Sequence, residues 1–258
     1  MKPFEHIKYE VEERIAWIRF NRPEQLNAMN ARMMNEIIEA IEMVNVAEEN
    51  EVRVCVITGE GKAFMAGADI KEYAQQTREQ FVSFQSRGRS LYAAIEGNSK
   101  PVIAALNGYA FGGGFEIALA CDMILAAEGT KMGLPEVNLN LIPGGGGTQR
   151  LPQKIGINLA NEILMTGRTV LAEELKQHGL INHLYPREEF SEKVKEFARM
   201  FIDKASGRLG MLKRLAKMSL DEVGMSALSL ENDALSMYYQ SAEGQEKIQE
   251  FYNKSKEK

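Results

Sequence analysis

The stretch Pro101-Val102-Ile103-Ala104-Ala105-Leu106, then Gly112-Gly113-Gly114-Phe115-Glu116 and Ile117-Ala118-Leu119-Ala120, decides the fold class. Its first part is a continuous apolar run of strand length, which reads as a buried strand. Its last part reads as a buried helix of small residues, and Met123 to Ala127 returns as a strand. Strand, glycine turn, helix and strand in close succession predict an α/β core.

Upstream, Tyr9 to Glu13 and Ile15 to Phe20, separated by Arg14, read as two strands, with Trp17 in the second. From Asn30, a suitable N-cap, the residues Met33, Met34, Ile37, Ile38, Ile41 and Val44 recur at helical spacing. Val52 to Thr58 then reads as a buried strand closed by Gly59 and Gly61. The order repeats more loosely downstream, where Phe81, Phe84, Gly88, Leu91 and Ile95 mark one face of a second long helix. After Gly133 the chain is loop-rich through Gly144 to Gly147, then runs through a helix stopped at Gly179 and a strand from Ile181 to Tyr185. Beyond Ser191 nothing reads as a strand. The patterns Val194, Phe197, Phe201 and Leu212, Leu215, Met218 predict amphipathic helices able to pack on another subunit. The expected division is a core over 1–190 and a helical, oligomerising region over 191–258.

A chain of 258 residues with 45% hydrophobic content can bury a large core, which excludes a disordered protein. Its formal net charge of -5 argues against a general nucleic-acid footprint. Cys55 and Cys121 make no disulfide framework, and His6, His178 and His183 form no metal-binding pattern, so no metal is expected. The start, Met1 to Ile7, has no apolar run of signal length, and no segment approaches a membrane span. A cytoplasmic enzyme, without membrane association, is the expectation.

Chemistry concentrates at the glycine triplet. Glycine lets a substrate press against the backbone, and a helix start offers unpaired N–H donors to developing negative charge. An isolated glycine turn with a glutamate is ordinarily a tight turn with a capping carboxylate. Here the apolar flanks place Glu116 where desolvation raises its pKa toward a useful acid–base range. Glu136, taken alone, is a turn glutamate after Pro135. The run Gly144 to Gly147 is followed by Thr148-Gln149-Arg150, without the lysine of a P-loop, and no dinucleotide-binding glycine pattern occurs anywhere. Those glycines are expected to permit a tight backbone crossing, Arg150 to pair with an acid, and Asp122 to act as a structural hydrogen-bond acceptor.

Four segments together resemble the enoyl-CoA hydratase/isomerase (crotonase) superfamily. They are Phe20-Asn21-Arg22-Pro23 with Leu26-Asn27-Ala28; Gly61 to Lys71; Gly112 to Glu116; and Pro135-Glu136 leading to Ile142-Pro143-Gly144 and Thr148 to Pro152. The resemblance covers nearly the whole chain in family order. It implies a crotonase-like spiral of β-β-α units with a C-terminal helical domain, assembled as a homo-trimer or homo-hexamer. The implied substrate is an acyl-CoA thioester, with no cofactor beyond the coenzyme A that the substrate carries.

Matched residue by residue, the resemblance puts the two oxyanion-hole N–H groups at Ala68 and Gly113, catalysis at Glu116 and Glu136, and CoA contacts at Ala66 and Lys71. Glu116 would activate the water and Glu136 deliver the α-proton. The implied activity is enoyl-CoA hydration. The alternatives are an enoyl-CoA isomerase, for which one glutamate suffices, and a methylglutaconyl-CoA hydratase, which Lys131 to Leu134 and the following segments resemble. That branch is known also for RNA binding. The basic cluster Arg78, Arg87, Arg89 and Lys100, diluted by Glu79 and Glu96, reads as a solvated helix face, so nucleic acid is not the expected partner. The segment Glu72 to Phe84, with Arg78 as its cation beside Tyr73, Phe81 and Phe84, is expected to line the acyl end of the pocket. The C-terminal end, with Glu243-Gly244 followed by Ile248, Phe251 and Lys254, departs from the family pattern and lends no support to a CoA-phosphate contact there.

Overall fold

The computed structural model describes residues 4–73 and 75–219 and positions 233, 237, 241, 242 and 246. The family departure at residues 243–254 lies outside the described residues. Two compact units divide the chain, Met1–Ser206 and Gly207–Lys258.

In the first unit, β1 (Ile7–Glu12) and β2 (Ile15–Phe20) form a hairpin. Its two turn residues, Glu13 and Arg14, have φ of 52° and 64°, the left-handed pair that suits a tight hairpin. Helix α1 (Ala31–Val46) follows, and its N-cap Asn30 accepts a 2.9 Å hydrogen bond from the Met33 N–H. Then β3 (Val54–Gly59), β4 (Ala63–Met65), the short α2 (Ile70–Tyr73) and α3 (Arg78–Gly97) complete one turn. The next comprises β5 (Val102–Leu106), β6 (Tyr109–Phe111) and α4 (Gly113–Ala120). A third starts with β7 (Met123–Ala127) and β8 (Lys131–Gly133), passes through a 3-10 turn at Pro135–Leu139, and reaches α5 (Gly147–Ile155) and α6 (Ile157–Thr166). The remainder of this unit is β9 (Val170–Leu171), α7 (Ala172–Gln177), β10 (His183–Tyr185) and α8 (Phe190–Arg199), whereas α9 (Ser206–Met218) belongs, beyond its first residue, to the second unit.

The strands sort into two sheets, β1-β2-β3-β5-β7-β10 and β4-β6-β8-β9. Each turn of chain therefore lays one strand in the large sheet and the next in the small sheet before crossing back through helix, which is the expected β-β-α spiral. Beyond the hairpin the large sheet is parallel, and its central strands β3, β5 and β7 are buried on both faces. Alternation along the strands separates two cores. Ile18, Ile57, Ala104 and Ala126 join α1 and α4, whereas Trp17, Val56, Ile103 and Leu125 meet Phe190, Val194 and Ala198 of α8. Helix α8, expected in the terminal region, thus packs within the first unit, and the division falls at Ser206 instead of 190.

Candidate active site

The small sheet carries the site. Gly112 has φ 50° and turns the chain out of β6 into α4, where its N–H donates to the Gly133 carbonyl of β8 at 3.0 Å. A Cβ on Gly114 would stand 2.2 Å from the Met65 carbonyl oxygen, so only glycine lets the start of α4 lie directly on β4. Gly113 opens the helix, and its N–H has no carbonyl four residues earlier inside the helix to meet.

Ala68 is set by a parallel bridge to Met29. Met29 N–H donates to Gly67 O at 2.8 Å and Asp69 N–H to Met29 O at 2.9 Å, a pattern that turns the intervening Ala68 N–H to the opposite side. The first family segment braces this loop. Arg22 reaches Asp69 at 2.9 Å and also donates to the Ala28 carbonyl. Buried Asn27 donates to Glu60 O at 3.0 Å and Ala63 O at 2.8 Å. Burial alone would raise the Asp69 pKa, but the hydrogen bond and charge of Arg22 bring it below the usual carboxylate range.

One cavity of ≈ 170 Å³ is lined by Ala66, Ala68, Gly113, Glu116 and Glu136, among others. Glu116 is 3% exposed, and its Oε1 accepts from Gly145 N–H at 2.7 Å and Gly147 N–H at 2.9 Å. Burial raises its pKa, opposed by those two N–H groups, by the charge of Arg150 and by the Tyr92 hydroxyl. Glu136 has an Oε2 that is buried without a partner. Burial first, and the neighbouring Glu116 charge with it, push Glu136 up to about 7. Two carboxylates with unequal support in one cavity are equipped to hold and exchange a proton near neutral pH. Among the described residues no group of three or more His, Cys, Asp or Glu side chains could hold a metal ion.

Several sequence expectations meet the structure here. Arg150 pairs with Glu96 at 2.7 Å and donates to Gly145 O at 2.6 Å, so it holds the glycine loop. That loop does more than permit a crossing, since it supplies two donors to Glu116. Asp122 accepts from Val102 N–H at 2.8 Å, as a structural acceptor should. Lys71 is exposed on α2 and does not line the cavity, whereas Ala66 does.

Two expectations are corrected. Lys100 does not belong to a surface basic cluster: it is 2% exposed and its Nζ donates to the carbonyls of Val44 at 2.7 Å and Ala47 at 2.8 Å, closing the end of α1. Of the segment Glu72 to Phe84, Phe84 lines the cavity while Arg78 and Phe81 do not. The Tyr73 side chain lies outside the described residues. Tyr92, which does line the cavity, escaped the sequence reading because it sits beside Leu91 in the apolar stripe of α3 and looks like core.

A family model described as enoyl-CoA hydratase/isomerase matches residues 10–258. A crotonyl-CoA hydratase of Syntrophomonas wolfei is 38% identical over 98% of this chain and 97% of its own. A 2,3-dehydroadipyl-CoA hydratase of Escherichia coli is 32% identical over 94% of each. The crystal structure of an enoyl-CoA hydratase from Bacillus anthracis superposes with a TM-score of 0.92 at 34% identity, covering 97% of both chains.

Proposed function

Because the chain belongs to the enoyl-CoA hydratase/isomerase family, we infer that it is an enoyl-CoA hydratase, a lyase adding water to a trans-2-enoyl-CoA. The observation that carries this reading is the joint lining of one cavity by two carboxylates and by Ala68 and Gly113, the residues to which the oxyanion-binding N–H groups are assigned. The thioester carbonyl accepts from Ala68 and Gly113 N–H. As water adds to the β-carbon, the double bond's electrons move toward that carbonyl, and the two donors stabilise the enolate oxygen in a site that needs no reorganisation. Glu116 takes the proton that water loses, and Glu136 delivers a proton to the α-carbon. An isomerase would need only one such carrier, and here both carboxylates line the same cavity.

The acyl end is read as apolar. Phe84, Leu139, Leu141 and Ile142 line the cavity, and its described lining includes no Lys or Arg. A distal carboxylate would be buried there without a cation, which is costly. Crotonyl-CoA is therefore the favoured substrate over methylglutaconyl-CoA. Loss of conjugated-enoyl absorbance from crotonyl-CoA tests the activity. Glu116→Gln should lower kcat by on the order of a hundredfold, and near-wild-type hydration in that variant would remove its role. Arg78→Ala should leave the preference between the two substrates unchanged. A cytoplasmic homo-trimer or homo-hexamer accompanies this reading, supported by exposed apolar side chains such as Ile142 at 80% and Leu212 at 63%. Light scattering tests the assembly, and a stable monomer would overturn it.

A further inference from the structure

We propose that a second cavity, partitioned from the active site by Phe84, is a subsite for the far end of longer acyl chains, and that it selects chains ending in an uncharged hydrogen-bonding group such as a hydroxyl or an amide. The proposal rests on the hydratase reading and deepens it by naming a substrate class beyond crotonyl-CoA.

Tyr92, Gly88 and Phe84 stand one turn apart on α3, and all three line the active-site cavity. Tyr92 marks the catalytic end, because its hydroxyl lies 3.5 Å from where a Cβ on Gly113 would stand. At about 1.5 Å of rise per residue, Phe84 lies roughly 12 Å further along the helix axis. An extended chain spans about 1.2 Å per bond, so ten carbons reach roughly 11 Å and a crotonyl chain stops well short. On the other side of Phe84 is a larger cavity, of ≈ 420 Å³ against ≈ 170 Å³. Among the described residues Phe84 alone lines both. Its ring is therefore the partition that a longer chain must turn aside.

The two cavities differ in chemistry. Whereas the active site ends against Phe84, Leu139, Leu141 and Ile142, the second cavity is lined by Glu72, Gln75, Gln76, Gln80, Ser83 and Arg87 beside Phe84 and Ala31. Several of these groups are already held. Glu72 accepts from the Ala31 N–H at 3.1 Å, Gln80 accepts from the Thr77 N–H at 2.8 Å in the cap of α3, and Arg87 donates to Ser83 Oγ at 3.4 Å. Gln76 is the exception, since its Oε1 is buried with no hydrogen-bond partner among the described residues. A buried acceptor left in that state is costly, and a donor on a bound chain would satisfy it. The cavity holds one carboxylate and one guanidinium, so an acidic terminus would gain Arg87 but meet Glu72, and a basic terminus the reverse. An uncharged group that donates and accepts escapes both penalties. A plain alkyl end would strand Gln76 and strip water from the other amides.

The test compares trans-2-decenoyl-CoA with its 10-hydroxy and 10-carboxy analogues as substrates of the full chain. The hydroxylated substrate should have a kcat/KM about tenfold above that of the alkyl one, because a site built to hydrogen-bond a hydroxyl rejects the analogue that lacks it. Gln76→Leu should bring that ratio to about one. Phe84→Ala, which removes the partition, should raise kcat/KM for both long substrates about tenfold relative to crotonyl-CoA and keep the preference for the hydroxyl. Equal or better use of the alkyl chain by the wild type overturns the proposal, as does a preference that survives Gln76→Leu. A carboxylated chain used better than the hydroxylated one would make the cavity an anion site and overturn it equally. Should Gln76→Leu fail to fold, the wild-type ratios decide. Wild-type protein that leaves crotonyl-CoA unhydrated refutes the hydratase reading instead, and calorimetry then tests the subsite by itself: 10-hydroxydecanoyl-CoA should bind about tenfold more tightly than decanoyl-CoA, and equal affinities overturn the proposal.

Discussion

Adding one methyl at Gly114 tests whether the start of α4 must lie directly on β4. The Cβ of Gly114→Ala would stand 2.2 Å from the Met65 carbonyl oxygen, whereas ordinary contact begins at 3.4 Å, so the two backbones must separate by about 1.2 Å. Neither atom is the tip of a flexible side chain. The displacement falls on Gly113, the preceding residue, whose N–H is the proposed second oxyanion donor. A misplacement of about 1 Å costs on the order of a hundredfold in rate, similar to removing one oxyanion donor. Stability should drop by roughly 1–3 kcal/mol, as overpacking does. The assay is hydration of crotonyl-CoA beside urea unfolding, with Gly97→Ala as the control because no atom lies within 4 Å of its added Cβ. Gly114→Ala with wild-type kcat, in a folded protein, would refute the account of how the helix start is positioned.

Two further outcomes follow from buried charge. Glu136 stands at about 7 against an ordinary 4.5, so its protonation on folding stabilises the native state at low pH, and that contribution is lost as pH rises through 7. Glu136→Gln should therefore gain stability relative to wild type between pH 4.5 and 7, while losing the alkaline limb of kcat/KM; equal pH dependence of unfolding in both proteins would contradict this. Lys100→Met strands the carbonyls that Lys100 holds at the end of α1, at a cost of about 1–3 kcal/mol. Its urea midpoint should drop with kcat unchanged, and an undiminished midpoint would count against the capping role.

The sequence by itself determined the α/β class, the long helices and the chemical elements of the site. Asn30 and the stripe from Met33 to Val44 specify α1, because N-cap chemistry and a 3.6-residue period are local properties. The continuous apolar run from Val102 to Leu106 announces a strand buried on both sides. The family segments name Glu116, Glu136, Ala68 and Gly113, and all four line one cavity. Strands β4, β6 and β8 were not legible, since three residues carry too little alternation to register, yet they form the sheet on which the cavity is built. Nor could local pattern reveal which donors surround a carboxylate. Gly145 and Gly147 reach Glu116 from about thirty residues away, Lys100 is buried although lysine is ordinarily solvated, and Tyr92 resembles any core aromatic. Burial, the direction of an N–H group and the distance between two charges depend on segments far apart in the chain, so tertiary packing alone decided how the two glutamates differ.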